Sequence, residues 1–137
     1  MKAVYTIIIL VFRNVFLYGI EANILLYKYK SQASPYVELN LHFTGNSIKY
    51  VHLDSTAMQG SILVTTIFMQ NDKIVKADKY TLNTPLSSVP MNFIDVRRYS
   101  LAAGSYRLLF HLEDMNDTSN ILNSSIDFSL NFDNQKT

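Results

Sequence analysis

The chain has 137 residues, 48% of them hydrophobic and 17% charged, with a net charge of +1. That is enough for one domain with its own core, and the balance excludes the basic footprint of a nucleic-acid binder or a polybasic membrane patch. With no cysteine it holds no disulfide, thiolate metal site, cysteine nucleophile or lipidated cysteine.

Residues 1–22 read as a secretory signal: Lys2, then the apolar run Ala3 to Phe12, then Ile20-Glu21-Ala22 as a cleavage site before Asn23. Arg13-Asn14 interrupts the apolar stretch. A continuous span needs about 20 apolar residues, and a central Arg costs about 2.5–3.5 kcal/mol on insertion scales. An uncleaved N-terminal anchor and a buried first strand stay open as alternatives. Cleavage would remove Lys2, Arg13 and Glu21, taking twelve basic and eleven acidic residues to ten of each.

Residues 23–133 carry the pattern of a β domain, and 134–137 are a polar tail. Asn23 to Gln32 begins apolar and then alternates Tyr27 and Tyr29 with Lys28 and Lys30, as a half-buried strand does. Tyr36 to Phe43 alternates most cleanly, with Val37, Leu39, Leu41 and Phe43 on one face. Thr44-Gly45-Asn46 then predicts a hairpin turn, Ile48 to Leu53 a short returning strand, and Asp54 to Gly60 a loop.

Ser61 to Met69 is apolar on both faces and predicts a strand covered on both sides. Gln70-Asn71-Asp72 is a turn, and Lys73 to Tyr80 returns as a charged, edge-like strand. Thr81 to Pro90 reads as a long connection, Met91 to Val96 as a short strand, and Arg97-Arg98 as a solvated pair. Gly104 makes a turn, after which Tyr106, Leu108, Phe110 and Leu112 face one way. A Tyr so placed matches the tyrosine corner of immunoglobulin-like sandwiches, its hydroxyl capping the incoming loop. Met115 to Asn120 reads as a polar loop, and Ile126, Phe128, Leu130 and Phe132 alternate in a last strand. Seven or eight such strands predict an all-β fold, a two-sheet antiparallel β-sandwich of immunoglobulin or fibronectin-III type.

The order and spacing of YKYKSQASPYVELNLHFTGNSIKYV, QGSILVTTIFMQNDKIVKADKYTLNTP, NFIDVRRYSLAAGSYRLLFHLEDMN and IDFSLNF resemble the N-terminal module of GWxTD domain-containing proteins. The resemblance covers nearly all of residues 1–132 and implies a secreted or envelope protein of the kind found mainly in Bacteroidota. The family's Gly-Trp-x-Thr-Asp motif lies further along its chains. This chain has no Trp, so it resembles a truncated or split member, and the second half's role does not carry over.

No catalytic constellation is visible. His42, His52 and His111 fall on three separate predicted strands, whereas a metal site needs ligands that converge. Glu113-Asp114-Met115-Asn116-Asp117 lacks the Gly and distal Glu of a calcium loop. No G-x-S-x-G elbow occurs, and the two N-x-[ST] sites, at Asn116 and Asn123, read as chance matches. No cofactor is expected. The expected function is a non-catalytic envelope module, a scaffold or protein-interaction domain. Its partner would be another protein or a missing C-terminal domain, with no nucleic acid and with membrane contact only through an uncleaved N terminus. Lys73, Lys76 and Lys79 mark either an edge that accepts a partner strand or gatekeepers against one. A carbohydrate-binding module is the alternative, and it requires Tyr27, Tyr29, Tyr36 and Tyr50 to form one exposed patch. An exposed apolar patch is expected near the chain terminus or the Thr81–Pro90 loop, where a partner would meet the domain.

Overall fold

A computed structural model of the chain describes residues 4–7, 19–30 and 34–131. The strands in order are β1 (Val4–Ile7), β2 (Ala22–Lys30), β3 (Pro35–Phe43), β4 (Tyr50–His52), β5 (Met58–Gln70), β6 (Lys73–Asn83), β7 (Phe93–Ser100), β8 (Gly104–Asp114) and β9 (Asp117–Leu130). Among the described residues there is no α-helix.

The strands form two antiparallel sheets, a β-sandwich. One sheet runs β1-β2-β3-β7; the other runs β6-β5-β8-β9, with β4 added to the start of β5. The alternation seen in sequence is what builds the core. Ile24 and Leu26 of β2, with Val37, Leu39, Leu41 and Phe43 of β3, face Ile62, Val64 and Phe68 of β5 and Leu108, Phe110 and Leu112 of β8. β5 and β6 are joined by Asn71 and Asp72 at φ 50° and 61°. Two successive positive-φ residues give the hairpin turn whose twist suits the flanking strands, and Asn and Asp tolerate it best.

Several sequence expectations are corrected. Ile48–Leu53 does not return along β3; its strand, β4, pairs with Met58–Gly60 in the other sheet. Burial of Ile48 and capture of the Lys49 N–H by Asp114 draw the chain across. Gly45–Ser47 is a 3-10 turn, and Met58–Gly60 belongs to β5 rather than to a loop. Arg97 and Arg98 lie within β7, not in a solvated loop. The Met115–Asn120 loop shrinks to a two-residue turn, because β9 begins at Asp117.

At the N terminus, Val4–Ile7 pairs with Ile24–Tyr27 of β2. The rest of the expected leader up to Tyr18 lies outside the described residues, as do Phe132 and the 134–137 tail. The core includes Ile20 and Ala22, which the sequence had assigned to the leader. The Ile20 N–H donates to Asn120 Oδ1 at 2.8 Å, which ties this stretch into the packed sandwich.

Candidate interaction surfaces

Three segments meet at one end of the sandwich: residues 44–57 with β4, residues 84–92, and the 115–116 turn. Backbone and side-chain bonds knit them together. Met58 bridges Ser87, the Met115 N–H donates to the Ser61 carbonyl, and the Gly45 N–H donates to Asn92 Oδ1 at 2.9 Å. Gly45 is buried where the Met91 backbone crosses, so close that a Cβ would collide with it. Only glycine fits that crossing.

Beneath these loops sits Asp114, fully buried. Its Oδ2 accepts the Lys49 N–H at 2.7 Å and Asn120 Nδ2 at 3.3 Å, and its Oδ1 accepts the Asn116 N–H at 2.9 Å. Asn120 in turn donates to the Ser47 carbonyl at 3.0 Å. A buried carboxylate is tolerated when each oxygen has such donors. One side chain therefore fixes the 45–49 segment, the 115–116 turn and the start of β9.

On this rigid base the loops carry apolar residues into solvent. Val51, Leu53, Leu86, Val89, Met91 and Met115 are 43–61% exposed and account for six of the eleven exposed large hydrophobics among the described residues. Strand pairing places His52 and Ser87 on the two sides of Met58, so the segments carrying Val51 and Leu86 flank the start of β5, two strand spacings or about 10 Å apart. Concentration of exposed apolar side chains at one end is the mark of a contact surface.

The residues singled out in sequence are distributed differently. Gly104 opens β8 at φ +153°, a conformation that favours glycine. Tyr106 is buried, and its hydroxyl donates to the Ala102 carbonyl at 2.6 Å, closing the loop before β8. Its ring stacks on Phe128 at 5.5 Å, and Phe128 meets Phe68 edge-on at 6.2 Å. Phe110 is a core residue 2% exposed. These four hold the sandwich and offer no chemistry to a ligand.

Lys73, Lys76 and Lys79 lie on β6, which among the described residues pairs only with β5 and is an edge strand. Lys76 Nζ donates to the Ser100 carbonyl of β7 at 2.8 Å, across the gap between the sheets. It belongs to a polar seam that sequence reasoning missed. Tyr80 donates to Asp95 at 2.6 Å, Arg97 lies 3.8 Å over the Tyr80 ring, and Tyr99 donates to Asp78 at 2.8 Å. Burial, with the neighbouring carboxylates, raises the pKa values of both tyrosines, that of Tyr99 to about 12. The signal was present in the matched alternations Lys76-Asp78-Tyr80 and Asp95-Arg97-Tyr99, but only the fold shows that they face each other.

The outer face of β5 departs from expectation as well. Thr65 and Ile67 are half-buried, with no further layer described over them. They line a shallow groove of about 430 Å³ with Leu109, His111, Asn123 and Ser125. His111 Nδ1 is 2.7 Å from Asn123 Oδ1, and its Nε2 is 3.8 Å from the Glu113 carboxylate. Neither ring nitrogen is directed at a serine. Among the described residues no three metal-ligating side chains gather.

Tyr27, Tyr29 and Tyr36 share the outer face of the other sheet. Tyr29 and Tyr36 stack at 4.9 Å with planes 14° apart, so each covers a face of the other. Tyr50 sits at the loop end with its hydroxyl buried. The four tyrosines do not form one exposed patch.

No family model, curated protein or solved structure matches the chain.

Proposed function

We propose that this protein is an exported, non-catalytic β-sandwich module of the cell envelope that binds another protein through its loop end. The observation that carries this reading is the grouping of Val51, Leu53, Leu86, Val89, Met91 and Met115 over a rigid base anchored by Asp114. The patch falls beside the Thr81–Pro90 segment, where a partner surface was expected.

The strand order β2-β3-β7 over β6-β5-β8-β9 and the Tyr106–Ala102 bond support kinship with immunoglobulin and fibronectin-III sandwiches. In such folds the loops of one end commonly bind. Export rests on Lys2 and the Ala3–Phe12 run, and the envelope location on the resemblance to GWxTD-family N-terminal modules. The sugar reading loses its platform because Tyr29 and Tyr36 are spent on each other.

The test is expression of the full chain in a Gram-negative host, with fractionation and N-terminal sequencing of the product. A processed protein in the periplasm or medium is expected. A cytoplasmic product that keeps Met1 would refute export, and a full-length product in the inner membrane would replace cleavage with anchoring.

A further inference from the structure

The four edge regions of the sandwich are not alike. β6 carries Lys73, Lys76 and Lys79; β7 carries Asp95, Arg97 and Arg98; β9 carries Asp117 and Asp127. Charges on edge strands discourage pairing with other chains. From Ala22 to Tyr27, β2 has none: its sequence there is ANILLY. In the full chain this uncharged edge is covered, because Val4–Ile7 pairs antiparallel with it, from Val4 opposite Tyr27 to Ile7 opposite Ile24. The covering segment, VYTI, is itself uncharged and rich in strand-forming residues.

We propose that the edge of β2 at Ile24–Tyr27 is a strand-acceptor site for an extended, uncharged apolar segment of a partner protein, filled by Val4–Ile7 until the leader is removed. This rests on the reading of the protein as exported and processed. Removal of the leader strips the cover and leaves backbone N–H and C=O groups of β2 unpaired, the template for strand addition. The chain's own segment shows the direction and register of the strand that fits. A second copy fits less well. Two-fold pairing of β2 with β2 matches residues of the same face, so centring on Leu25 or Leu26 sets Lys28 opposite core-facing Ala22 or Ile24. A segment like VYTI places no charge there.

The experiment uses the processed protein purified from the host envelope, after N-terminal sequencing, and a fluorescein-labelled peptide AVYTII followed by anisotropy. Saturable one-to-one binding is expected. At least tenfold weaker binding is expected for the same peptide carrying both Y5P and T6P, because N–H groups alternate in direction along a strand and one of these two must face β2. The same loss is expected for the L25K protein at unchanged Tm, and for unprocessed full chain, whose edge is already covered. A monomeric processed protein that does not bind the peptide, or binds both peptides equally, would overturn the proposal. So would a processed dimer that L25K converts to monomer, since the edge would then belong to a second copy. Retention of Met1 in the sequencing step is a separate failure: it refutes processing and leaves the edge permanently covered.

Discussion

Replacing Asp114 by alanine should loosen the loop end more than any other single polar change. The carboxylate accepts two backbone N–H groups, from Lys49 at 2.7 Å and Asn116 at 2.9 Å, and the Asn120 amide at 3.3 Å. Hydrogen bonds to a charged group contribute about 1.5–3 kcal/mol each, and buried donors left without a partner add their own desolvation cost. The two short bonds dominate, because the third is long. The expected loss for Asp114→Ala is about 3–5 kcal/mol, within the range that broken buried networks show. Asp114→Asn keeps one acceptor oxygen and the shape of the site, and should cost about 1–3 kcal/mol. Urea unfolding followed by circular dichroism measures both. With a slope of about 2 kcal/mol/M, the alanine variant should move the midpoint down by about 2 M. Amide exchange should show protection lost at Lys49 and Asn116 before the central strands. A loss below about 1 kcal/mol for Asp114→Ala, with the Lys49 amide still protected, would refute this role.

Other outcomes follow from the same packing. Phe128 is 4% exposed and lies between Tyr106 and Phe68, so Phe128→Ala should cost about 3–5 kcal/mol by urea unfolding; a cost under 1 kcal/mol would mean that the end of β9 is not seated in the core. Stability should fall at alkaline pH. Tyr99 titrates near 10 when unfolded and near 12 in the fold, so its contribution is complete below pH 10 and is lost as pH rises towards 12. Thermal unfolding between pH 9 and 12 should show that fall, and a smaller one in Tyr99→Phe; identical slopes in both proteins would contradict the assignment. Processing of the leader should leave Ile20 in place, because its side chain is 3% exposed and its N–H satisfies Asn120. Burial of such a side chain is worth about 1.5–3 kcal/mol. N-terminal sequencing that starts at Asn23 would be the contrary result.

Much of the architecture was legible in the sequence because alternation is a local signal. Val37 to Phe43 and Tyr106 to Leu112 announce their inward faces residue by residue, and Asn71-Asp72 announces a turn that needs positive φ. Non-local pairing was not legible. β4 looks like the return arm of a hairpin with β3, but burial of Ile48 and the bond from the Lys49 N–H to Asp114, 65 positions away, accompany its pairing in the other sheet. Arg97 and Arg98 are solvated as expected, but their places in β7, with Tyr80 and Glu38 beside them, depend on strands distant in sequence. Asp114 itself looks like part of an acidic loop, because burial of a carboxylate depends on donors that the sequence scatters. The contact surface was half visible: the Thr81–Pro90 segment was expected to border it, but the contributions of Val51, Leu53 and Met115 depend on three distant loops meeting at one end.

The loop-end surface is tested most directly by site-specific photo-crosslinking in the native cell. A photoreactive residue is placed in turn at Leu86, Val89 and Met91, and as a control at Ser105, which is exposed at the far end. One adduct of defined mass is expected from the three loop positions, none from Ser105, with loss of that adduct when Val51 and Leu53 are both changed to serine while Tm is retained. Adducts from Ser105 equal to those from the loops, or none from any loop position, would contradict it.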